Sequence, residues 1–196
     1  MFQLVNLSKY YSQNRLFNQY CAQFTLPRVC LSAPNGFGKS TLLAILAGLE
    51  PYQSGEVHFN GVACTPKALQ SRVALASDKL VFPEFLTAKE LLNLTARYCQ
   101  TTSAEPFIEA FAFAPFLNTC VADLSSGNLK KLQLINAFMR QSDALLLDEP
   151  TAALEQKSIP VLLSLITKVQ GQIILTSHEP RVFLDAGFSL QVLEHE

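Results

Sequence analysis

The fold is decided by residues 29–41, which read VCLSAPNGFGKST, a short apolar run followed by a loop of small residues. Val29 to Ser32 has the uninterrupted apolar character of a strand that is buried on both faces. Thr41 to Ala47 then carries apolar residues at helical spacing, with Gly48 and Pro51 as stop signals. A strand, a glycine loop and a helix in this order predict a loop whose backbone N–H groups wrap a phosphate.

The residue types in this loop match the chemistry of nucleotide binding. We expect Lys39 to reach the β- and γ-phosphates and Ser40 to ligate Mg²⁺, while the helix N-terminus adds partial positive charge. The alternative is an ordinary glycine turn, which the flanking strand and helix disfavour. The nucleotide-binding residues expected in the loop are Asn35, Gly36, Phe37, Gly38, Lys39, Ser40 and Thr41.

Length and composition predict a single domain, residues 1–196, and disfavour several classes of protein. Charged residues make up 16% of the chain and the net charge is −1, with no basic stripe, so we expect no nucleic-acid partner. The five cysteines form no C-x-x-C pair, which is typical of reduced thiols rather than of a disulfide framework or a zinc site. The sequence shows no secretory signal and no apolar stretch long enough to cross a bilayer, so any work at a membrane is expected to depend on docking.

Short apolar runs alternate with helix-like stretches, the pattern of an α/β domain around a largely parallel sheet. Ala144 to Asp148 and Ile173 to Ser177 are predicted to be further buried strands of that sheet, and Phe188 to Leu193 a final strand. The alternation in Phe2 to Leu7 and the hairpin-like segment Glu56 to Gly61 predict an N-terminal antiparallel β region.

An inserted α-helical lobe is predicted at approximately residues 79–130. Leu86 to Leu94 is an amphipathic pattern in which Thr87 stands at the N-cap and Glu90 follows three residues later, the signature of a capping box. Phe107 to Phe116 is a second apolar stretch with helical spacing.

Two carboxylates and a histidine stand at the ends of two predicted strands that follow one another along the chain. We expect Asp148 to hold Mg²⁺ through water, and Glu149 to orient and deprotonate an attacking water. His178 ends the next strand, where its imidazole can meet the γ-phosphate and help to position Glu149 or the water. The alternatives are that the carboxylates merely end a strand and that the histidine is structural or solvated.

These segments resemble the ATP-binding domain of ABC transporters, and the resemblance covers nearly the whole chain. Ala33 to Thr41 is similar to the Walker A motif of that family. Leu124 to Asn128 resembles its signature, usually written L-S-G-G-Q, and Ala144 to Pro150 resembles Walker B with the catalytic glutamate. The resemblance implies a P-loop NTPase fold that binds and hydrolyses ATP with Mg²⁺.

Three further features resemble smaller motifs of the family. Tyr11 is similar to the aromatic residue that stacks on adenine, Ala152 to Glu155 resembles the D-loop, and His178 resembles the switch histidine. In this family two domains pair head to tail. The resemblance therefore implies that Ser125 and the N–H groups near Gly127 contact the γ-phosphate held by a second ATP-binding domain, in a homodimer or a heterodimer.

Four positions depart from the family pattern. Ser126 replaces the first glycine of the signature, Asn128 its glutamine, and Glu155 the aspartate of the D-loop. Asp78 stands where the Q-loop glutamine is expected, although its carboxylate can still ligand Mg²⁺. The departures leave two interpretations. We expect a divergent but working ATPase; the alternative is a subunit whose signature contributes a weakened contact to its partner.

The segment after Asp78 resembles that of small exporter-type ATPases such as the haem-exporter ATPase. The resemblance implies a separate transmembrane permease subunit as partner, and a location on the cytoplasmic face of the cell membrane. Phe82, Phe85 and Leu86 are candidate docking residues for that partner, or else core residues of the lobe. The alternatives in function are a non-transport ABC ATPase and a regulatory subunit that hydrolyses ATP poorly.

Overall fold

The computed structural model describes residues 1–12 and 14–193, which form two sheets, the helices around them and an inserted lobe. The strands of this part of the chain are β1 Phe2–Tyr11, β2 Asn14–Phe24, β3 Arg28–Ser32, β4 Ser54–Phe59, β5 Val62–Ala63, β6 Val73–Ala76, β7 Ala144–Asp148, β8 Gln172–Thr176 and β9 Ser189–Val192. The helices are α1 Lys39–Leu46, α2 Pro66–Arg72, α3 Ala88–Tyr98, α4 Glu105–Ala110, α5 Ser126–Phe138, α6 Ile159–Lys168 and α7 Arg181–Leu184.

The central sheet has the strand order β6-β7-β8-β3-β9, and all of its neighbouring strands are parallel. Strand β8 therefore lies between β3, which leads into the glycine loop, and β7, which ends at Asp148. Thr176 at the end of β8 is in register with Leu31 on one side and with Asp148 on the other. The carboxyl ends of these strands meet at one edge, the place where open α/β sheets bind ligands.

The second sheet is antiparallel, with the order β2-β1-β4-β5, and confirms the predicted N-terminal β region. Strand β1 continues beyond the predicted Leu7 as far as Tyr11, with irregular register after Leu4. Asn6 has a φ of 50° there, which bends the strand locally. This extension carries Tyr11 towards the glycine loop.

Helix α1 packs between the two sheets, which holds the glycine loop rigidly. Leu42, Leu43, Ile45 and Leu46 are all fully buried, in one cluster with apolar residues of both sheets. Each such side chain stabilises the fold by about 2 kcal/mol through burial. Gly48 turns the chain just after the helix, with a φ of 71°. Its α-hydrogen faces the carbonyl of Pro66, and a Cβ in that place would lie 2.3 Å from the carbonyl oxygen.

The helical lobe begins with the capping box predicted at α3. The Thr87 hydroxyl accepts a hydrogen bond from the Glu90 N–H, and the Glu90 carboxylate accepts one from the Thr87 N–H at 2.8 Å. The Thr87 backbone hydrogen bond is the main cause that lowers the pKa of Glu90. The boundary predicted at residue 130 falls inside α5, which runs on to Phe138 and packs against β6. Helix α5 thus ties the lobe to the central sheet.

The second predicted helix of the lobe is wrong in its extent. Helix α4 ends at Ala110, the chain turns at Ala112 with a φ of 50°, and Ala114–Phe116 forms a single 3₁₀ turn. The left-handed backbone at Ala112 ends the helix before Pro115 is reached, and Pro115, which has no N–H to donate, lies in the 3₁₀ turn instead. The apolar side chains expected on that helix still enter the lobe core, where Phe111 and Phe113 are buried.

Within residues 1–12 and 14–193, none of the helices combines the length and the apolar character that a bilayer crossing requires.

The cysteines differ sharply in exposure, which gives a test of the packing below the glycine loop. Cys30 in β3 is fully buried, and burial together with the charge of Glu149 raises the pKa of its thiol to about 11. Cys21 is exposed. Because the thiolate is the reactive form, iodoacetamide at pH 8.5 should alkylate Cys21 and leave Cys30 unmodified until denaturant is added, as read by peptide mass spectrometry. Equal labelling of the two cysteines in the native protein would contradict this packing.

Candidate functional site

The glycine loop adopts the conformation that its sequence predicts. Gly36 and Gly38 have φ angles of 82° and 84°, a left-handed backbone that side chains strongly disfavour. Gly38 is also the N-cap of α1, so the first N–H groups of the helix open towards the loop. The ammonium of Lys39 donates to the carbonyl of Ala33 at 2.6 Å and so lies across the loop. The arrangement is that of an anion-binding helix N-terminus.

A cavity of about 370 Å³ lies over this loop. Residues expected from the sequence to bind nucleotide or catalyse its hydrolysis line it, namely Tyr11, residues 35–41, Glu149 and His178. Three residues that were not expected line it as well, namely Asn14, Leu16 and Lys79.

Three hydroxyl groups hold the carboxylate of Asp148 beside this cavity. Ser40 Oγ donates to Oδ1 at 3.0 Å, and Thr176 Oγ1 donates to the same oxygen at 2.8 Å. Ser77 Oγ donates to Oδ2 at 2.8 Å. Asp148 is only 6% exposed, so these bonds satisfy a carboxylate that water hardly reaches. Serine hydroxyl and aspartate oxygens are ligands that suit Mg²⁺, and both groups lie at the loop that binds phosphate.

Glu149 turns away from the strand that Asp148 ends. Its φ is 45°, and its N–H donates to Thr176 Oγ1 at 3.0 Å. Its Oε2 accepts the backbone N–H of His178 at 2.9 Å, and the His178 ring lies 3.6 Å from Oε1. Among the residues that the structure describes, the buried Oε1 has no hydrogen-bond donor. A fixed carboxylate with an acceptor oxygen to spare is suited to taking a proton from water.

Tyr11, which also lines the cavity, is held by two charged residues. Its hydroxyl donates to Glu50 Oε1 at 2.7 Å, and Lys9 Nζ lies 4.3 Å from the ring centroid. Lys9 also pairs with Glu50 at 2.6 Å. Burial is the main cause that raises the pKa of the Tyr11 phenol. With one ring face occupied by a cation, the other is available to stack on a base.

The family of the chain follows from a match to the ABC transporter model, which covers residues 27–152. The chain belongs to the ABC transporter family. The family assignment made from the motifs is therefore confirmed. The matched span includes the glycine loop, the lobe and the strand that ends at Asp148.

Curated relatives include ABC proteins of several kinds. The ATP-binding protein Uup of Escherichia coli is 31% identical over 159 residues, which are 81% of this chain and 24% of Uup. The macrolide export ATP-binding/permease protein MacB of Marinobacter nauticus is 28% identical, over 86% of this chain and 29% of MacB. The glutamate/aspartate import ATP-binding protein GltL of Escherichia coli is 26% identical, over 100% of this chain and 81% of GltL. The chain thus spans less than a third of the length of Uup or MacB.

Solved structures of ABC cassettes share the fold. An ATP-binding subunit of an ABC transporter superposes with a TM-score of 0.85 at 24% identity, over 99% of this chain and 86% of that one. A dimeric ATP-binding cassette in a post-hydrolysis state, bound to ADP and Pi, superposes with a TM-score of 0.80 at 22% identity, over 99% and 94%. The α/β fold class, with a parallel sheet, an antiparallel sheet and a helical lobe, is confirmed.

Asp78, which was expected from the family resemblance to stand at the Q-loop glutamine position, does not line the cavity over the glycine loop. Its Oδ1 pairs with Lys130 Nζ at 2.6 Å, and it lines a separate cavity of about 390 Å³ beside α5. Lys130 is 3% exposed, and its ammonium also lies 3.5 Å from the carbonyl oxygen of Asp148. A role for Asp78 as an Mg²⁺ ligand stays a prediction that this arrangement does not favour.

The ABC signature segment lies at the start of α5. Ser125 is the N-cap, with its Oγ accepting the Asn128 N–H at 3.3 Å. A Cβ at Gly127 would lie 2.8 Å from the carbonyl oxygen of Ala153, so close packing against the D-loop already requires glycine here. Neither Ser125 nor Gly127 lines the cavity over the chain's own glycine loop. Their predicted contact with a γ-phosphate would therefore need a second domain.

Sequence reasoning missed the hydroxyls of Ser77 and Thr176, the ion pair beside Tyr11 and the presence of Lys79 in the cavity. Thr176 carried a partial signal, since it is a hydroxyl residue near the end of the predicted strand Ile173 to Ser177. Ser77 follows β6 in the same way. The local sequence of neither segment reveals the strand order that brings both hydroxyls to Asp148.

Proposed function

We propose that the chain is the ATP-binding and ATP-hydrolysing subunit of an ABC transporter, one that closes as a dimer on ATP. The observation that carries the proposal is the carboxylate of Glu149. Its Oε2 accepts the His178 N–H, while the Glu149 backbone N–H donates to Thr176. The residue lines the same cavity as Lys39, and its Oε1 has no donor among the described residues.

The roles of the side chains follow from their positions. The N–H groups of the loop and the ammonium of Lys39 bind the phosphates, and Ser40 and Asp148 are the residues that would hold Mg²⁺. When bound, Mg²⁺ neutralises charge on the phosphates. Glu149 accepts the proton of the attacking water, and His178 fixes the glutamate and faces the terminal phosphate.

The proposal is tested by measuring phosphate release from Mg·ATP by the purified chain over a range of protein concentrations. If the active form is a head-to-tail dimer, the rate per subunit should rise with concentration and then level off. A rate per subunit that stays constant would exclude the dimer as the active form, and no release at any concentration would exclude hydrolysis.

The first turn of α5 is proposed as the surface that meets the ATP of a second domain. Ser126, directly after the cap, adds a side chain where a backbone would approach a phosphate. We expect Ser126→Gly to raise the dimer-dependent ATPase rate about threefold, a small free-energy gain of the kind that a shorter contact provides. Ser164→Gly, at an exposed serine of α6 outside the signature, is the matched control and should leave the rate unchanged. An unchanged or lower rate in Ser126→Gly would show that the native serine does not weaken the contact.

A separate transmembrane permease is the proposed partner, and the chain is proposed to dock on it at the cytoplasmic face of the cell membrane. In the lobe, Phe85 is 79% exposed and Val81 is 88% exposed, whereas Phe82 and Leu86 pack against the lobe core. Of the predicted docking residues, Phe85 therefore remains the candidate, and Val81 becomes a second candidate beside it. MacB acts in export and GltL in import by their names, and export remains the proposed direction because of the resemblance of the lobe segment.

The second candidate is a non-transport ABC ATPase, favoured by the likeness to Uup, whose name includes no transport. Affinity purification of the chain from gently solubilised membranes separates the two candidates. Co-purification of a polytopic membrane protein, lost in Phe85→Ser and kept in Lys89→Ser, supports the transporter. Co-purification with ribosomes and without a membrane protein supports the second candidate.

A further inference from the structure

Lys79 is a second lysine in the nucleotide cavity, and neither the glycine-loop pattern nor the strand-end carboxylates account for it. It lines the cavity together with Lys39. Its Nζ donates to Thr41 Oγ1 at 2.9 Å, and its own N–H donates to Ser77 Oγ at 3.2 Å. Thr41 is 4% exposed and belongs to the first turn of α1, so the lysine is anchored to the rigid part of the site.

The position of Thr41 shows which side of the cavity Lys79 occupies. Consecutive residues of a helix point about 100° apart, so Ser40 and Thr41 face different neighbours. Ser40 faces Asp148, beside Glu149 and His178, where the terminal phosphate is proposed to react. Thr41 faces Lys79 instead.

Glu50 gives a second indication of the same location. Burial raises the pKa of its carboxyl, but hydrogen bonds from Lys9 and Tyr11 and the charges of Lys9 and Lys79 outweigh burial and lower that pKa overall. Lys79 is therefore within electrostatic reach of the carboxylate that holds the Tyr11 hydroxyl. It lies on the side of the cavity where Tyr11 is expected to hold the base.

The charge of Lys79 has no ion-pair partner among residues 1–12 and 14–193. The neighbouring acid, Asp78, is paired with Lys130 on the other side of the chain. A lysine ammonium has three donors, of which one is used by Thr41. A cation with donors to spare on the wall of a cavity for a strongly anionic ligand is placed to bind that ligand.

We propose that Lys79 binds the phosphate of the nucleotide nearest the nucleoside, while Lys39 binds the terminal phosphates. The inference rests on the proposed nucleotide binding and adds a ligand contact that the Walker A motif does not contain.

The test compares the affinities for ATP, ADP and AMP, measured by calorimetry or by competition with a fluorescent nucleotide, in EDTA and in Mg²⁺. Lys79→Met should weaken all three by a similar factor of about 10, the effect of one charge-assisted hydrogen bond, because each of them carries the phosphate nearest the nucleoside. Lys79→Arg should restore most of the affinity. Lys67→Met, an exposed lysine of α2, is the matched control and should bind like the wild type.

The outcomes separate the inference from the proposed function. If the wild type binds ATP, Lys39→Ala loses ATP far more than AMP, and Lys79→Met binds all three like the wild type, then the Lys79 inference is wrong and nucleotide binding stands. A loss confined to ATP would place Lys79 at the terminal phosphate and also overturn the inference. If the wild type binds no nucleotide, both proposals fail. A lower melting temperature of Lys79→Met without any change in affinity would assign the lysine a structural role only.

Discussion

Replacing Glu149 with glutamine should lower the steady-state rate of ATP hydrolysis by at least about 100-fold while ATP is still bound. Glutamine has the same shape, so its Oε1 can keep the hydrogen bond from the His178 N–H and its backbone can keep the bond to Thr176. The amide cannot accept a proton from water. The loss should therefore fall on kcat, with little change in the affinity for ATP.

The measurement is phosphate release at saturating Mg·ATP, with ATP affinity determined on the same preparations. Glu179→Gln is a matched control, because Glu179 is an exposed glutamate that directly follows His178. It should hydrolyse ATP at the wild-type rate. A Glu149→Gln variant that keeps more than a tenth of that rate would assign proton transfer to another group, and His178→Ala would then be the next variant to measure.

Removing Asp78 should destabilise the protein more than removing its partner Lys130, although both substitutions break the same ion pair. Asp78→Ala leaves the ammonium of Lys130 buried, 3.5 Å from the carbonyl oxygen of Asp148 and without its carboxylate partner. The expected loss in the free energy of unfolding is about 2 kcal/mol. Lys130→Met removes the buried charge and leaves a carboxylate that is 69% exposed, which water solvates at little cost. The two substitutions are therefore expected to lower the free energy of unfolding by different amounts, whereas an ion pair shared equally would make them alike.

Urea denaturation of the two variants and of the double variant measures this asymmetry. Asp78→Ala should also melt about 5 °C below the wild type, whereas the double variant should be close to Lys130→Met. Equal destabilisation by the two single substitutions would contradict the asymmetry.

The same variants test the Mg²⁺ role predicted for Asp78. If Asp78→Ala still lowers the Mg²⁺-dependent ATPase rate in the Lys130→Met background, the carboxylate acts on the metal and not only through Lys130.

The strands and loops that carry strong local patterns were predictable from the sequence. Strand β7 has its predicted bounds, Ala144 to Asp148, because four apolar residues between Asp143 and Asp148 leave little choice. The capping box of α3 was predictable for the same reason, since Thr87 and Glu90 stand at a fixed spacing. Short-range chemistry of this kind needs no knowledge of the tertiary fold.

The contacts that complete the site depend on strand order and on the path of the chain, which local patterns do not contain. Ser77 and Thr176 reach Asp148 only because β6 and β8 flank β7. Whether Asp78 or Lys79 faces the glycine loop depends on how the chain turns after β6, since neighbouring residues of an extended chain point in opposite directions. A one-residue difference there exchanges a carboxylate for an ammonium in the cavity.

Because β8 is the central strand of the parallel sheet, it also determines when the site can assemble during synthesis of the chain. The glycine loop and the strand that ends at Asp148 are both made before residues 172–176, yet β8 separates them in the finished sheet. A nascent chain that has not reached Thr176 lacks the hydroxyl that touches both Asp148 and Glu149. The support of these two carboxylate residues is therefore completed only once Thr176 has been made, later than both the glycine loop and β7.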